Sequence, residues 1–177
     1  MEARIINNER KIKKYLVIFF VLAILLYFFP FYNLLAVKGE FPYRCSRNSK
    51  AYRMLMFRGF PTDIKEANDI INNAEKAFDE VGVTHAEARK KYGVLSMYTF
   101  DKDTYPKIVT TKHSIRIWSV RLNLKNSKYD GYLWVNYTQE GFDEKGKLQS
   151  GSWGVPSLWC LRKINNQWKV VAIKESA

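Results

Sequence analysis

Two cysteines, two histidines and no glycine-rich loop leave this 177-residue chain without most signatures of chemistry. Cys45, Cys160, His85 and His113 stand far apart and show no metal-ligand spacing, so no metal centre is expected. Without a glycine-rich loop there is no cradle for a phosphate. Gly151-Ser152-Trp153-Gly154 lacks the Gly-x-Ser-x-Gly spacing of a nucleophile elbow. There is no internal repeat, no low-complexity tract and no Ser/Pro-rich stalk. Acidic residues are also few: 17 Asp and Glu face 29 Lys and Arg, a net charge of +12. These absences assign no cofactor and no catalytic residue.

What the chain does have is one long apolar run. Tyr15 to Val37 is 23 residues without a charged side chain, preceded by Lys11, Lys13 and Lys14. At about 1.5 Å per residue, a helix of that length covers the roughly 30 Å hydrocarbon layer of a bilayer. A cleaved signal peptide is the competing reading. Its apolar region spans about 7–15 residues and ends in a small-x-small site. Leu34-Leu35-Ala36-Val37 matches such a site poorly, which favours an uncleaved signal anchor. Pro30 and Asn33 weaken the far end, and Tyr27, Phe28, Phe31 and Tyr32 suit an interfacial aromatic belt.

Charge then orients the span. Residues 1–14 carry five basic and two acidic side chains, a net of +3, so this N-terminus is expected in the cytoplasm. The remainder carries 24 Lys and Arg against 15 acids, a net of +9, and is expected outside. Residues 38–48 read as a short linker and 49–177 as one extracytoplasmic domain, too small to divide. Outside the cytoplasm, Cys45 and Cys160 are a candidate disulfide; alternatively Cys160 is a small buried hydrophobe.

Within this domain, helices come first. Ser49–Arg58 is expected to be helical, stopping at Gly59 with Pro61 beyond. Ile64, Ala67, Ile70, Ile71, Ala74, Ala77, Phe78 and Val81 recur at three- and four-residue steps, one apolar stripe capped by Thr62 or Asp63 and ended by Gly82. Thr84-His85-Ala86-Glu87 is a capping box opening a short helix that stops at Gly93.

Strands follow, and all five tryptophans lie among them. Val94–Phe100, Ser114–Leu124, Tyr132–Gln139, Ser157–Ile164 and Trp168–Lys174 are rich in β-branched and aromatic residues and separated by turn signals. Short turns between them predict an antiparallel meander. The expected class is α+β: an N-terminal transmembrane helix, then helices packed on a curved antiparallel sheet.

The closing hairpin carries a family resemblance. Leu158-Trp159-Cys160-Leu161-Arg162-Lys163-Ile164, Asn165-Asn166 and Gln167-Trp168-Lys169-Val170-Val171 resemble the last strands of nuclear-transport-factor-2-like (cystatin-like) domains. The resemblance spans roughly residues 47–175 and is specific only in this hairpin. It implies a cone of bent sheet and helices. Some relatives are isomerases or dehydratases using Asp, His or Tyr in the cone; many are non-catalytic binding or assembly domains.

No such catalytic pattern is matched here. Asp101 and Asp103 read as turn formers, and His113 flanks a strand. Trp118, Tyr132, Trp134 and Tyr137 are the candidate ligand- or partner-binding residues, with Trp134 expected on the face opposite Tyr132 and Tyr137. The expected function is a membrane-anchored binding or assembly module with a protein partner in an envelope or secretion complex. The alternative is a small-ligand site or lyase/isomerase in the cone. The basic surface also suits an anionic polymer, but scattered lysines argue against nucleic acid as a partner.

Overall fold

The computed structural model describes residues 2–29, 55, 57–125 and 127–175. Helix α1 spans Glu2–Phe28 and joins the basic N-terminus to the first part of the apolar run. Its uncharged part, Tyr15–Phe28, is about 21 Å long, short of the roughly 30 Å hydrocarbon layer. Accordingly, among the described residues no helix is long and apolar enough to cross a membrane. The remainder of the run, 30–37, lies outside the described residues, as do the linker 38–48, Cys45 and most of the predicted helix Ser49–Arg58.

Helix α2 runs Pro61–Phe78. It begins one residue before the predicted caps. Pro61 takes the first helical position, where its missing N–H costs nothing, and Phe60 caps without a side-chain bond. Asp63 instead accepts the Leu122 amide at 3.2 Å. The predicted stripe is buried at Ala67, Ile70, Ile71, Ala74, Ala77 and Phe78. The capping box forms as read, with the Thr84 hydroxyl accepting the Glu87 amide, and opens α3, His85–Tyr92.

The predicted strand Val94–Phe100 is corrected: Gly93–Tyr98 is a 3-10 helix. Leu95 and Tyr98 face the core while Val94 and Met97 are exposed. That three-residue period matches a 3-10 turn, whose i and i+3 side chains eclipse.

Four strands follow: β1 Thr110–Arg121, β2 Gly131–Phe142, β3 Leu148–Ile164 and β4 Gln167–Glu175. They form an antiparallel meander in the order β1-β2-β3-β4. The fold is therefore α+β, with helices on an antiparallel sheet. Asn165 and Asn166 both have positive φ, the geometry of a two-residue type I′ hairpin turn between β3 and β4. Every strand pair contains a register shift, and such bulges bend a sheet.

The sheet buries both faces. The inner face joins α2 and the 3-10 turn in one core containing Phe78, Tyr98, Leu133, Tyr137 and Trp159. The outer face carries Trp118, Trp134, Leu158 and Cys160, with Leu55.

Candidate functional site

The space between α2 and the sheet is filled by aromatic side chains. Phe78 and Tyr98 stack at 4.3 Å between centroids, and Tyr137 and Trp159 close around Tyr98 at 5.1 and 5.8 Å. Polar groups among them are paired with one another. Trp159 Nε1 donates to the Tyr98 hydroxyl at 2.8 Å, which donates to Glu175 Oε1 at 2.5 Å and lies 3.0 Å from Ser157 Oγ. Tyr137 donates to Glu175 Oε2 at 3.2 Å. Gln139 donates to the Phe78 and Tyr98 carbonyls. Burial and the Glu175 charge push both phenols above the ordinary tyrosine value. They stay neutral donors across the physiological range and tie β4 to the core. This network was missed in the sequence; the inward parity of Gln139, two residues from Tyr137, was the available signal.

The four candidate binding residues do not converge. Trp118, Trp134 and Tyr137 are buried, and Tyr132 is half-buried. Trp118, Trp134 and Tyr132 belong to the outer cluster; Tyr137 belongs to the inner core. The expected facing of Trp134 is thus corrected: an even spacing puts it with Tyr132, and Tyr137 lies opposite. Cys160 is buried in the outer cluster, and its proposed mate Cys45 lies outside the described residues.

The acids and histidines do local structural work. Asp101 accepts the Thr104 amide at 2.9 Å and Asp103 accepts the His85 amide at 2.8 Å. Burial of Asp101 raises its pKa, but the Thr104 bonds and His85 more than offset this, leaving it lowered. His113 lies between Asp79 (3.2 Å) and Glu75 (4.0 Å), joining β1 to α2. Among the described residues no group of His, Cys, Asp and Glu is arranged to hold a metal ion.

A groove of about 660 Å³ lies on the rim of the domain. Glu66 and Asp69 of α2, Lys91 of α3, and Lys163 and Lys169 of the hairpin line it. Ile70, Leu95 and Val170 supply apolar contact. Trp168 crosses it: its Nε1 donates to Glu66 at 2.5 Å and its ring lies 5.4 Å below Lys163 Nζ. Acidic, basic and apolar side chains share this lining, which suits a segment carrying both charges and a side chain to bury.

One edge of the groove has a pH dependence. Glu80 accepts from Lys91 at 2.5 Å and from the Tyr92 hydroxyl. The Lys91 bond, then Tyr92, holds Glu80 below its ordinary value of 4.5, and the same bond raises Lys91 to about 12. The unfolded chain therefore takes up a proton at Glu80 before the folded one does. The contribution of Glu80 is present above pH 4.5 and lost as pH falls through its lower folded value; that of Lys91 is lost only as pH rises toward 12. In thermal melts, Glu80→Gln should melt below the unmodified protein at pH 7. The gap should narrow as pH is taken below 4.5. A constant gap would remove Glu80 from this role.

Comparisons with protein-family models, with curated proteins and with solved structures give no match for this chain.

Proposed function

We propose that this chain is a single-span membrane protein. Residues 15–37 anchor it, and the α+β domain serves as a non-catalytic binding or assembly module outside the membrane. One observation carries the anchoring: the large apolar side chains from Tyr15 to Leu26 are 43–68% exposed along α1. A continuous apolar surface of that kind is unfavourable in water and costs nothing in lipid. Residues beyond Phe29 complete the crossing on this reading, and the basic residues from Arg4 to Lys14 keep the N-terminus cytoplasmic.

The module reading is supported by the aromatic filling of the interior, with the rim groove as a surface for contact. A protein partner in an envelope or secretion complex fits a groove lined by side chains of both charges. The order long helix, short helix, strand meander is compatible with a nuclear-transport-factor-2-like domain. The groove volume, within the roughly 300–1,000 Å³ of ligand sites, also favours a second reading in which a small zwitterionic ligand lies against Trp168.

The full chain should remain with membranes through alkaline carbonate extraction. Leu22→Lys with Leu25→Lys should abolish insertion, since each charge near a helix centre costs about 2.5–3.5 kcal/mol. Protease added to intact cells should remove the domain. Full release of the unmodified chain by carbonate would defeat the anchor, and a protected domain would reverse the topology.

A further inference from the structure

We propose that the outer face of the sheet, at the end of β3 far from the closing hairpin, binds a linear, neutral β-1,4-linked glycan, with one sugar ring stacked on Trp153. Trp153 is 58% exposed and has no place in either core cluster. Its side chain is nevertheless held in one position. Nε1 donates to Glu140 Oε1 at 2.7 Å. The benzene edge of the indole rests against Gly151, where a Cβ would lie 2.6 and 2.7 Å from Trp153 Cζ2 and Cη2.

The backbone is built for this placement. Gln139 pairs with Ser152 and Tyr137 with Val155, so Thr138 alone faces the two residues Trp153 and Gly154. A bulge of this kind re-aims a side chain. Gly154 takes φ 63° there, and its amide donates to Thr138 Oγ1 at 3.1 Å. Glycine seat, bulge and hydrogen bonds thus fix a large aromatic ring that the core does not use. A ring fixed before binding loses little freedom when a ligand covers it.

Polar side chains continue from the ring. Leu133, Val135 and Tyr137 face the inner core, so alternation along β2 sends Asn136, Thr138 and Glu140 to the outer face. On β1, Lys112 is paired with Glu140 and Ser114 with Thr138, and paired residues share a face. Lys112 and Ser114 are exposed and the β2 residues half-buried. An ammonium, a carboxylate, two hydroxyls and an amide therefore lie beside one flat ring.

A pyranose has the matching surface. Its C–H face packs on an indole, while the hydroxyls at its rim take hydrogen bonds from the side. Glu140 accepts the indole through Oε1, which leaves Oε2 for a hydroxyl. Alternate residues of a strand lie about 7 Å apart, so the polar row runs on beneath the next sugar of an extended chain. Lys112 offsets Glu140, so the paired charges cancel and favour a neutral chain over a polyanion. The rim groove lies at the other end of β3, at Lys163, so this site does not depend on what fills that groove.

Chitotetraose and cellotetraose are the probes, titrated into the isotope-labelled full chain in a sugar-free detergent and followed by NMR. Either should shift the Trp153 indole N–H and the Thr138 and Gly154 amides along one saturable curve. Trp153→Ala removes an exposed ring, so the domain should stay folded while binding weakens roughly tenfold or more. Trp153→Tyr keeps a ring and should recover most of the affinity. Glu140→Ala releases the indole and should weaken binding severalfold. Trp168→Phe alters the rim groove and should leave binding unchanged. No saturable shift with either probe, unchanged binding in Trp153→Ala, or equal loss in Trp168→Phe overturns the proposal. Dextran binding as tightly as the probes overturns the β-linked assignment. Heparin binding more tightly than either, in a Trp153-dependent way, overturns the neutral one.

Discussion

Trp159→Ala is expected to lower the unfolding free energy by about 3–5 kcal/mol, the usual cost of deleting a fully buried aromatic side chain. Trp159 is 0% exposed and stands where α2, the 3-10 turn and β3 meet. Its removal opens a cavity and leaves the Tyr98 hydroxyl without its indole donor. Domains of this size hold only about 5–15 kcal/mol in total, so the melting temperature should fall by roughly 10–25 °C. Trp153→Ala is the control. Trp153 is 58% exposed, and its indole donates to Glu140 at the surface, so its loss should cost under about 1 kcal/mol. Equal losses at Trp153 and Trp159 would show that the interior is not packed as described.

The polar part of that core is separable. Trp159→Phe keeps an apolar ring but removes the Nε1 donor; Tyr98→Phe removes the hydroxyl that accepts it. If the bond is formed, the double variant should cost less than the sum of the singles, by about 0.5–1.5 kcal/mol. Chemical denaturation of the four proteins gives that coupling. The same network joins both phenols to Glu175 of β4.

Much of the helical part was legible in the sequence. The stripe from Ile64 to Phe78 and the Thr84–Glu87 box are local patterns, and local patterns survive into the fold. The strands were legible in number and order beyond the first, because turn residues mark their ends. Their faces were legible on the unbulged part of β2, where even spacing puts Trp134 with Tyr132, but not across the bulges of β1 and β4. On β1 the bulge at Trp118 inserts one residue between Ile117 and Ser119, so inward positions change from Ile115 and Ile117 to Val120 and Leu122. On β4 the shift between Val170 and Ala172 does the same before Ile173. A period-two reading carried through a bulge assigns every later side chain to the wrong face.

The beginning of β3 was missed for a related reason. Gly151, Gly154 and Pro156 interrupt the strand pattern, so the predicted strand starts at Ser157, yet Leu148–Ile164 is one strand. Pairing with β2 holds it there, and a register shift with Gly154 at φ 63° absorbs the irregularity. The rim groove was not legible either. Glu66 and Trp168 meet across 102 positions of sequence, and no local period connects them.

Gly59→Ala is expected to cost about 2–5 kcal/mol, although it adds a single methyl group. Gly59 has φ 138°, a backbone region that side chains with a Cβ avoid, which costs about 1–3 kcal/mol. The added Cβ would also lie 2.7 Å from Val120 Cγ1 and 3.0 Å from the Val120 carbonyl oxygen. Val120 is fully buried in the inner core, so it cannot withdraw without displacing its neighbours. Overpacking of that kind adds about 1–3 kcal/mol. Gly82→Ala separates the two effects. Its φ is 74°, but nothing lies within 4 Å of the added atom, so only the backbone cost of about 1 kcal/mol should appear. Because Gly59 follows Arg58 directly, the shift should also loosen the Phe57–Phe28 contact. A melting temperature for Gly59→Ala equal to that of Gly82→Ala would mean that the Val120 contact is not made.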